Sequence, residues 1–582
     1  MPNEDRPHGG VHLDAGFAGG PRVPQPASVS ADVAFRLLIV GDFGGSGDGR
    51  LVDVSGDDLT TLLASFGAVV EVDAPNRLGS VPPALAVRLP ITSVRDLDPK
   101  TIPARIPEIV EAERLKDRFQ DMRSADLPHL PAPPSLDHVF AALESARAAS
   151  LRPSPATPGG GASASVDSDD GSIDRLLDMI DAPTPAARPD IAKAAISAFV
   201  SSSGRAQKPA SAPQAAAQLL VRQAQDVSTH PRWLGLEASW RSLRLILAAR
   251  NSRGATRIEL CDMRRAAMAD CVESEAFGEA AAGLQLKAIL VLGAFGPSVK
   301  DLDALDRLAR AAEGLAIPMI VSLDKDFFGA PPESVAIMDN PGALLEGQGY
   351  ASWRGLRGRN ESRWLFACWN DFVLRSDATS APVLWGEPGA IVAAQILRSL
   401  TRTGWPTEIV GVETALGGLE VVEVEMRVGR HSAIPLRALI DPGVARDLGR
   451  EGIICLACRS DRDRAWLVRA PHLRAHGATL EADREAMENF DSLPFQFVST
   501  YFENLLRGAA ANLRGSDDAQ VCASISRLVN DALAATGPGA SAHARPAAHS
   551  AQDDDSARRF EVSVQLGRSV MGGFAFSFDV AL

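Results

Sequence analysis

At 582 residues the chain exceeds what one hydrophobic core organises, so two or three domains with connecting segments are expected and a single small module is excluded. Hydrophobic residues make up 46% and charged residues 23%, a balance that buries real cores and excludes a chain disordered throughout. The formal net charge of -14, from 59 Lys+Arg against 73 Asp+Glu, repels polyanions and argues against a general nucleic-acid or acidic-membrane binder.

In chain order, residues 1–32 are rich in Pro, Gly, Ala and Asp without periodicity and read as a solvated tail. The run Phe35-Arg36-Leu37-Leu38-Ile39-Val40 reads as a mostly buried strand, stopped by a turn holding Gly41, Gly44, Gly45, Gly47 and Gly49. A short apolar helix near Leu59 to Phe66, strands over 68–72 and 84–89, and helical spacing from Ile106 to about Met122 complete a first folded region, 33–123. Residues 124–212 shift to Pro, Ala, Ser and Gly and read as a linker, broken by a possible helix over 136–149. Within it Ile173, Leu176, Leu177 and Ile180 recur at i, i+3, i+4 and i+7, so 172–181 is a candidate amphipathic helix capped by Asp170 or Ser172. That stripe fits either a docking peptide or an ordinary helix packed on its own domain.

A second folded region, 213–536, opens with a helix over 215–227 and the stretch His230-Pro231-Arg232-Trp233-Leu234-Gly235-Leu236-Glu237-Ala238-Ser239-Trp240-Arg241. Apolar strands over 287–293 and 317–322 flank a helical segment over 302–313, the βαβ alternation of a parallel sheet covered by helices. Residues 537–558 read as a flexible acidic segment. Beyond it, 559–582 hold two alternating strands carrying Val562, Val564 and Leu566, then Phe574, Phe576 and Phe578, around Gly567, Gly572 and Gly573. A loosely tethered strand pair has edges able to join another subunit's sheet. The fold class expected is α/β (α+β) with mixed sheets.

The residues that carry chemistry elsewhere form no catalytic constellation here. The glycine turn lacks Gly-Lys-Ser/Thr and a spaced Gly-x-Gly-x-x-Gly, and Asp42-Phe43-Gly44 has no His-Arg-Asp loop to serve as a kinase triplet. Cys455 and Cys458 form a lone C-x-x-C on a predicted strand and read as buried structural cysteines, since a closed zinc site needs four ligands. His472 and His476, at i, i+4 without an adjoining Glu, read as a surface pair. Glu237, Arg241, Arg354 and Glu413 stand near Trp233, Trp240, Trp353 and Trp405 in patterns that brace a domain or subunit contact through ion pairs and cation-π stacking. No metal, cofactor or catalytic residue is expected. The six cysteines (Cys261, Cys271, Cys368, Cys455, Cys458, Cys522) suit free thiols in a reducing compartment, and no run approaches the roughly 18 apolar residues of a membrane span, so a cytoplasmic location is expected.

These segments, in order, resemble the contractile sheath of bacterial type VI secretion, with small and large sheath subunits joined. FRLLIVGDFGG, LLASFGAVVEVDAPNRL and VRLPITSVRDLDPKTIPARIPEIVEAERLKDRF resemble the small subunit. HPRWLGLEASWRSLRLIL, YASWRGLR, VLWGEPGAIVAAQILRSLTRTGWPTEIVGVETALGGLE and IDPGVARDLGREGIICLACRSDRDRAWLV, with the C-terminal strand pair, resemble the large one. The resemblance implies a structural protomer of a contractile tube, with copies of itself, an inner tube protein, baseplate components and an AAA+ recycling unfoldase as partners. It favours Ile173 to Ile180 as the unfoldase-docking helix and the C-terminal strands as inter-subunit strands. This chain departs from the family pattern in joining the subunits, in a shorter large-subunit region, and in having linker where the small subunit continues into helix. Two alternatives remain: a non-polymerising accessory or capping module and, more remotely, an α/β nucleotide-binding enzyme using the turn at Gly41 or the strand end at Gly293.

Overall fold

The computed structural model describes residues 35–54, 59–121, 134–151, 212–251, 256–377, 381–427, 430–475, 488–513, 517–547 and 558–581. The candidate docking helix 172–181 lies outside them, as do the tail 1–32 and His476. In chain order the strands are β1 (Arg36–Gly41), β2 (Leu51–Asp53), β3 (Val69–Pro75), β4 (Ala84–Pro90), β5 (Arg257–Asp262) and β6 (Ala288–Val291). There follow β7 (Met319–Ser322), β8 (Leu365–Trp369), β9 (Phe372–Arg375), β10 (Leu384–Gly386), β11 (Val422–Arg427) and β12 (Arg430–Ile434). The last are β13 (Ile453–Cys458), β14 (Ala465–Leu467), β15 (Ser541–Pro546), β16 (Arg559–Gln565) and β17 (Ala575–Ala581).

The apolar run in β1 lies inside an eight-stranded sheet ordered β14-β13-β8-β7-β6-β1-β5-β2. β1 runs parallel to β5 on one side, Leu37 opposite Ile258, and to β6 on the other, Leu37 opposite Ala288. β6, β7, β8 and β13 continue parallel, and antiparallel β14 and β2 form the two edges. A parallel strand covered on both faces must be apolar throughout, and Leu37, Leu38, Ile39 and Val40 are all fully buried. The predicted βαβ unit is present: β6 leads through the helix Val299–Leu315, capped by Ser298 accepting from Asp301 N at 3.2 Å, into β7. Leu302, Leu305, Leu308 and Ala312 are its buried stripe, packed in a core with Leu38, Val40, Ile289, Val321 and Trp353.

The chain divides into two compact units. One unites residues 1–72, 88–101 and 228–582; the other unites 73–87 and 102–227. The first folded region expected over 33–123 is therefore no separate body, because β1 shares backbone ladders with strands more than two hundred positions away. In the second unit the helix Pro107–Asp121 packs on the helix Asp137–Leu151, with Ile109, Ala112, Val139 and Leu143 buried. The loop between β3 and β4 is tied there by Arg77 Nε to Asp226 Oδ2 at 2.7 Å and by Ser80 N donating to Asp137 Oδ1 at 2.7 Å.

A further correction concerns 537–558, expected as a flexible segment. Ser541–Pro546 is a strand, β15, pairing antiparallel with β16, Ala544 opposite Val562. The expected strand pair is thus a three-stranded sheet, β15-β16-β17, with Val562 of β16 opposite Phe578 of β17. Its inner face buries Phe560, Val562, Val564, Leu566, Phe576, Phe578 and Val580 against Val498, Phe502, Val521, Ile525 and Val529, from the helices Leu493–Leu513 and Asp518–Leu533. Sequence pattern hid β15, since SAHARP alternates only weakly and buries Ala544 alone.

Candidate assembly site

The helix Pro231–Ala249 begins with proline at its first position and His230 as cap, the imidazole accepting from Arg232 N at 3.2 Å. Trp233, Leu236, Glu237, Trp240 and Leu243 recur on one face and are buried. Trp240 Nε1 donates to Phe43 O at 3.0 Å, and its ring meets Phe43 and Phe66 edge-on at 5.3 and 5.7 Å between centroids. Trp233 is wholly buried. The Trp233–Trp240 face thereby clamps the segment after β1.

Glu237 is also wholly buried. Its Oε1 accepts from Arg241 Nε at 2.8 Å and from Arg375 Nε at 2.9 Å, and its Oε2 accepts from Arg375 Nη2 at 3.2 Å. Arg375 closes β9 and also donates to Pro382 O at 3.2 Å. Sequence reasoning paired Glu237 with Arg241 and missed Arg375, although a charge ending the apolar run Phe372-Val373-Leu374 was the available signal. Burial and the neighbouring Arg241 cation lower the Arg244 guanidinium from its ordinary range. Arg354 turns elsewhere, donating to Leu345 O and Gly347 O at 2.7 and 2.8 Å, and Glu413 is exposed, so the four charges form no single constellation.

The glycine turn after β1 is filled by the protein's own anion. Asp262, at the end of β5, accepts from Phe43 N at 2.8 Å and from Gly47 N at 3.0 Å. A Cβ on Gly45 would stand 2.7 Å from Asp262 Oδ2, and Gly44, Gly47 and Gly49 have φ between 65° and 77°, so these glycines shape a nest around a carboxylate. Burial raises the Asp262 carboxyl while these amides oppose the rise. A phosphate at those amides would have to displace a charge already bonded to them.

At the other candidate strand end, Gly293 N donates to Glu387 Oε2 at 2.8 Å. Burial pushes the Glu387 carboxyl up to about 7, with the Gly293 amide opposing the rise. Burial also pushes Asp371 up to about 6, the Arg437 guanidinium 2.9 Å away opposing it. The helix Pro388–Thr403 starts immediately after Glu387, and a Cβ on Gly389 would come within 2.9 Å of Leu290, so the helix start is packed directly onto the strands. Cys455 and Cys458 are buried on β13, and burial raises both thiols, Cys458 to about 12. His472 departs from the surface reading: it is buried, with Nε2 3.4 Å from Asp491 Oδ1. Among the described residues no group of three His, Cys, Asp or Glu is placed to hold a metal, and no helix is long and apolar enough to cross a membrane.

The C-terminal sheet has two unlike edges. On β15, Ala542 N donates to Asn530 Oδ1 at 2.8 Å, Asn530 Nδ2 donates to Ala542 O at 2.8 Å, and Ala544 N donates to Ser526 Oγ at 2.9 Å. The Asp518–Leu533 helix therefore closes that edge. Among the described residues β17 is the outermost strand on the other side, turning Phe576, Phe578 and Val580 inward; Phe574, just before it, is half-buried and stacks on Phe576 at 6.2 Å.

Comparison with known proteins supplies the context for these surfaces. The family described as EvpB/VC_A0108, tail sheath N-terminal domain, matches residues 214–382. The family described as type VI secretion system, VipA, VC_A0107 or Hcp2, matches residues 24–131. No curated protein matches. Among solved structures, a chain from the cryo-EM structure of the anti-feeding prophage baseplate, 6-fold symmetrised, aligns at 10% identity with a TM-score of 0.34, over 57% of this chain and 76% of that one. Residues 24–131 match a small-sheath-subunit family and residues 214–382 a tail-sheath family, in the expected order, so this one polypeptide joins type VI secretion sheath regions of both subunits.

Proposed function

We propose that the chain is a structural protomer of a contractile sheath, assembling with copies of itself into a tube around an inner tube and contracting to drive effector injection. The observation that carries this reading is the pair of sheath-subunit matches within one chain. Fusion fixes the ratio of the two regions at one to one and makes their pairing intramolecular. β17 supports it as well: its sheet buries a full apolar face while the strand itself remains outermost, the arrangement that accepts a strand from a neighbouring copy. Backbone ladders of that kind keep protomers joined while their bodies move. Baseplate components and the inner tube are the partners at and within the tube, an AAA+ unfoldase docking on Ile173, Leu176, Leu177 and Ile180 would recycle it, and the cytoplasm is the compartment. The chain itself needs no catalytic step in this role.

Electron microscopy of the purified full-length chain tests the reading, beside an Ala575→Lys/Ser577→Lys variant. The two lysines stand on the non-core face of β17 and use the natural means of blunting an edge strand. Tubes or cogwheel-like rings from the parent chain, lost in a variant with unchanged circular dichroism, are expected. A small monodisperse species from both would overturn self-assembly and favour an accessory or capping module.

A further inference from the structure

Cys261 lies near the end of β5 and Cys271 lies on the helix Met268–Glu273, yet their sulfurs are 4.0 Å apart, within S–H···S reach. Cys261 is buried; Cys271 is half-buried and lines an open cavity of about 560 Å³ together with Asp48, Arg50, Leu51, Phe277 and Leu284. Gly49 passes over the pair with φ of 73°, and a Cβ there would stand 3.1 Å from Cys271 Sγ, so a larger residue would crowd the sulfur. Cys261 Sγ also stands 3.5 Å from Gly49 O, a second acceptor that shares its one S–H proton and links the pair to the turn after β1.

The other thiols offer no comparable chemistry. Cys368, Cys455 and Cys458 are buried and raised by burial, and Cys522, though half-buried, is also raised by burial. Cys271 moves the opposite way, to about 7, because the Cys261 thiol hydrogen-bonds to its sulfur; Cys261 is raised by that same bond and by burial. Near neutral pH a substantial share of the accessible sulfur is thus thiolate, the nucleophilic form, while the buried one keeps its proton.

We propose that Cys261 and Cys271 form a thiol–disulfide exchange site that takes a low-molecular-weight disulfide through the cavity and closes to an intramolecular disulfide. In the first step the Cys271 thiolate attacks one sulfur of RS–SR; the S–S bond breaks, RS⁻ leaves, and Cys271 becomes a mixed disulfide. In the second, Cys261 yields its proton to the released thiolate and attacks the Cys271 sulfur, forming the Cys261–Cys271 bond and expelling the second RS⁻. Two protein thiols are oxidised by two electrons and the small disulfide is reduced to two thiols. Closure requires the sulfurs, 4.0 Å apart, to approach by about 2 Å. The cross-link replaces the Cys261 bond to Gly49 and staples β5 to the cavity wall. In a reducing compartment it is reversible and reports the thiol poise.

Oxidised glutathione, added to the native full-length chain at neutral pH and quenched by alkylation, is the probe, with products mapped on unreduced peptides. A Cys261–Cys271 cross-link reversed by dithiothreitol is expected, with Cys271 consumed about tenfold faster than Cys522. Cys261→Ser should stop at the Cys271 mixed disulfide, and Cys271→Ser should give neither product. Consumption of Cys271 no faster than Cys522, or a cross-link seen only after unfolding in urea, would overturn the proposal. Because the parent chain carries both rate and mapping measurements, a variant that fails to fold leaves the test intact.

Discussion

Glu237, wholly buried, balances its charge against Arg375 and Arg241. Taking one member away strands the others: a buried pair broken from one side costs about 3–5 kcal/mol, whereas the intact pair adds little over a well-packed apolar replacement. The geometry says which arginine matters more, because Arg375 reaches both carboxylate oxygens while Arg241 reaches one from a neighbouring turn of the same helix. We expect Glu237→Ala to destabilise the chain by about 3–5 kcal/mol in thermal or urea unfolding. Combined with Arg375→Ala, the loss should fall short of the sum of the two single losses by more than about 1 kcal/mol. Additive losses would mean that the two side chains do not act as a pair. The sequence made half of this visible, since Glu237 and Arg241 stand at helical spacing. Arg375 was hidden because its approach depends on β9 folding back beside the helix, which no local pattern encodes.

At the scale of elements, the C-terminal sheet and the two helices beneath it are one cooperative piece. Removing everything after Asp555 deletes β16 and β17, and with them eight buried side chains from Phe560 to Val580. At about 1.5–3 kcal/mol each, that burial matches or exceeds the whole margin of an ordinary domain. The truncated chain should lose order across 493–533, so limited proteolysis with mass spectrometry should find new cuts there and none in β6 or β7. Full protection of those helices would show that they hold without the sheet. Elements whose own residues carry the pattern were legible in advance: the helices over 59–66 and 107–121, the βαβ unit of β6 and β7, and the alternation in β16 and β17. β15 was not, because it is held by Asn530 and Ser526 of a helix and by β16, while its own alternation is slight. The glycine turn was legible as a turn without a phosphate-loop signature, but not as a nest for a carboxylate, because its occupant, Asp262, arrives from β5 more than two hundred residues later.

For the whole molecule, the position of β1 changes what the linker is for. Read along the sequence, 33–123 and 213–536 are two bodies joined by a tether. In the fold, β1 is hydrogen-bonded on both sides, to β5 and to β6, with Leu37 through Val40 fully buried. Such a strand cannot leave without breaking two parallel ladders and exposing the centre of a sheet. The linker then sets the ratio of the two regions and raises the local concentration at which β1 finds its place, while the sheet itself does the holding. A protease site placed in the Pro/Gly stretch near Gly159 should therefore be cut without separating the fragments: they should co-elute in native buffer and part only in denaturant. Residues 212–582 produced alone should be insoluble, because β5 and β6 would face a gap with unpaired backbone on both sides. Co-expression with residues 1–151 should restore solubility. Clean separation of the cut fragments in native buffer would mean that β1 is only loosely seated, and that the fusion rather than the sheet keeps the two regions together.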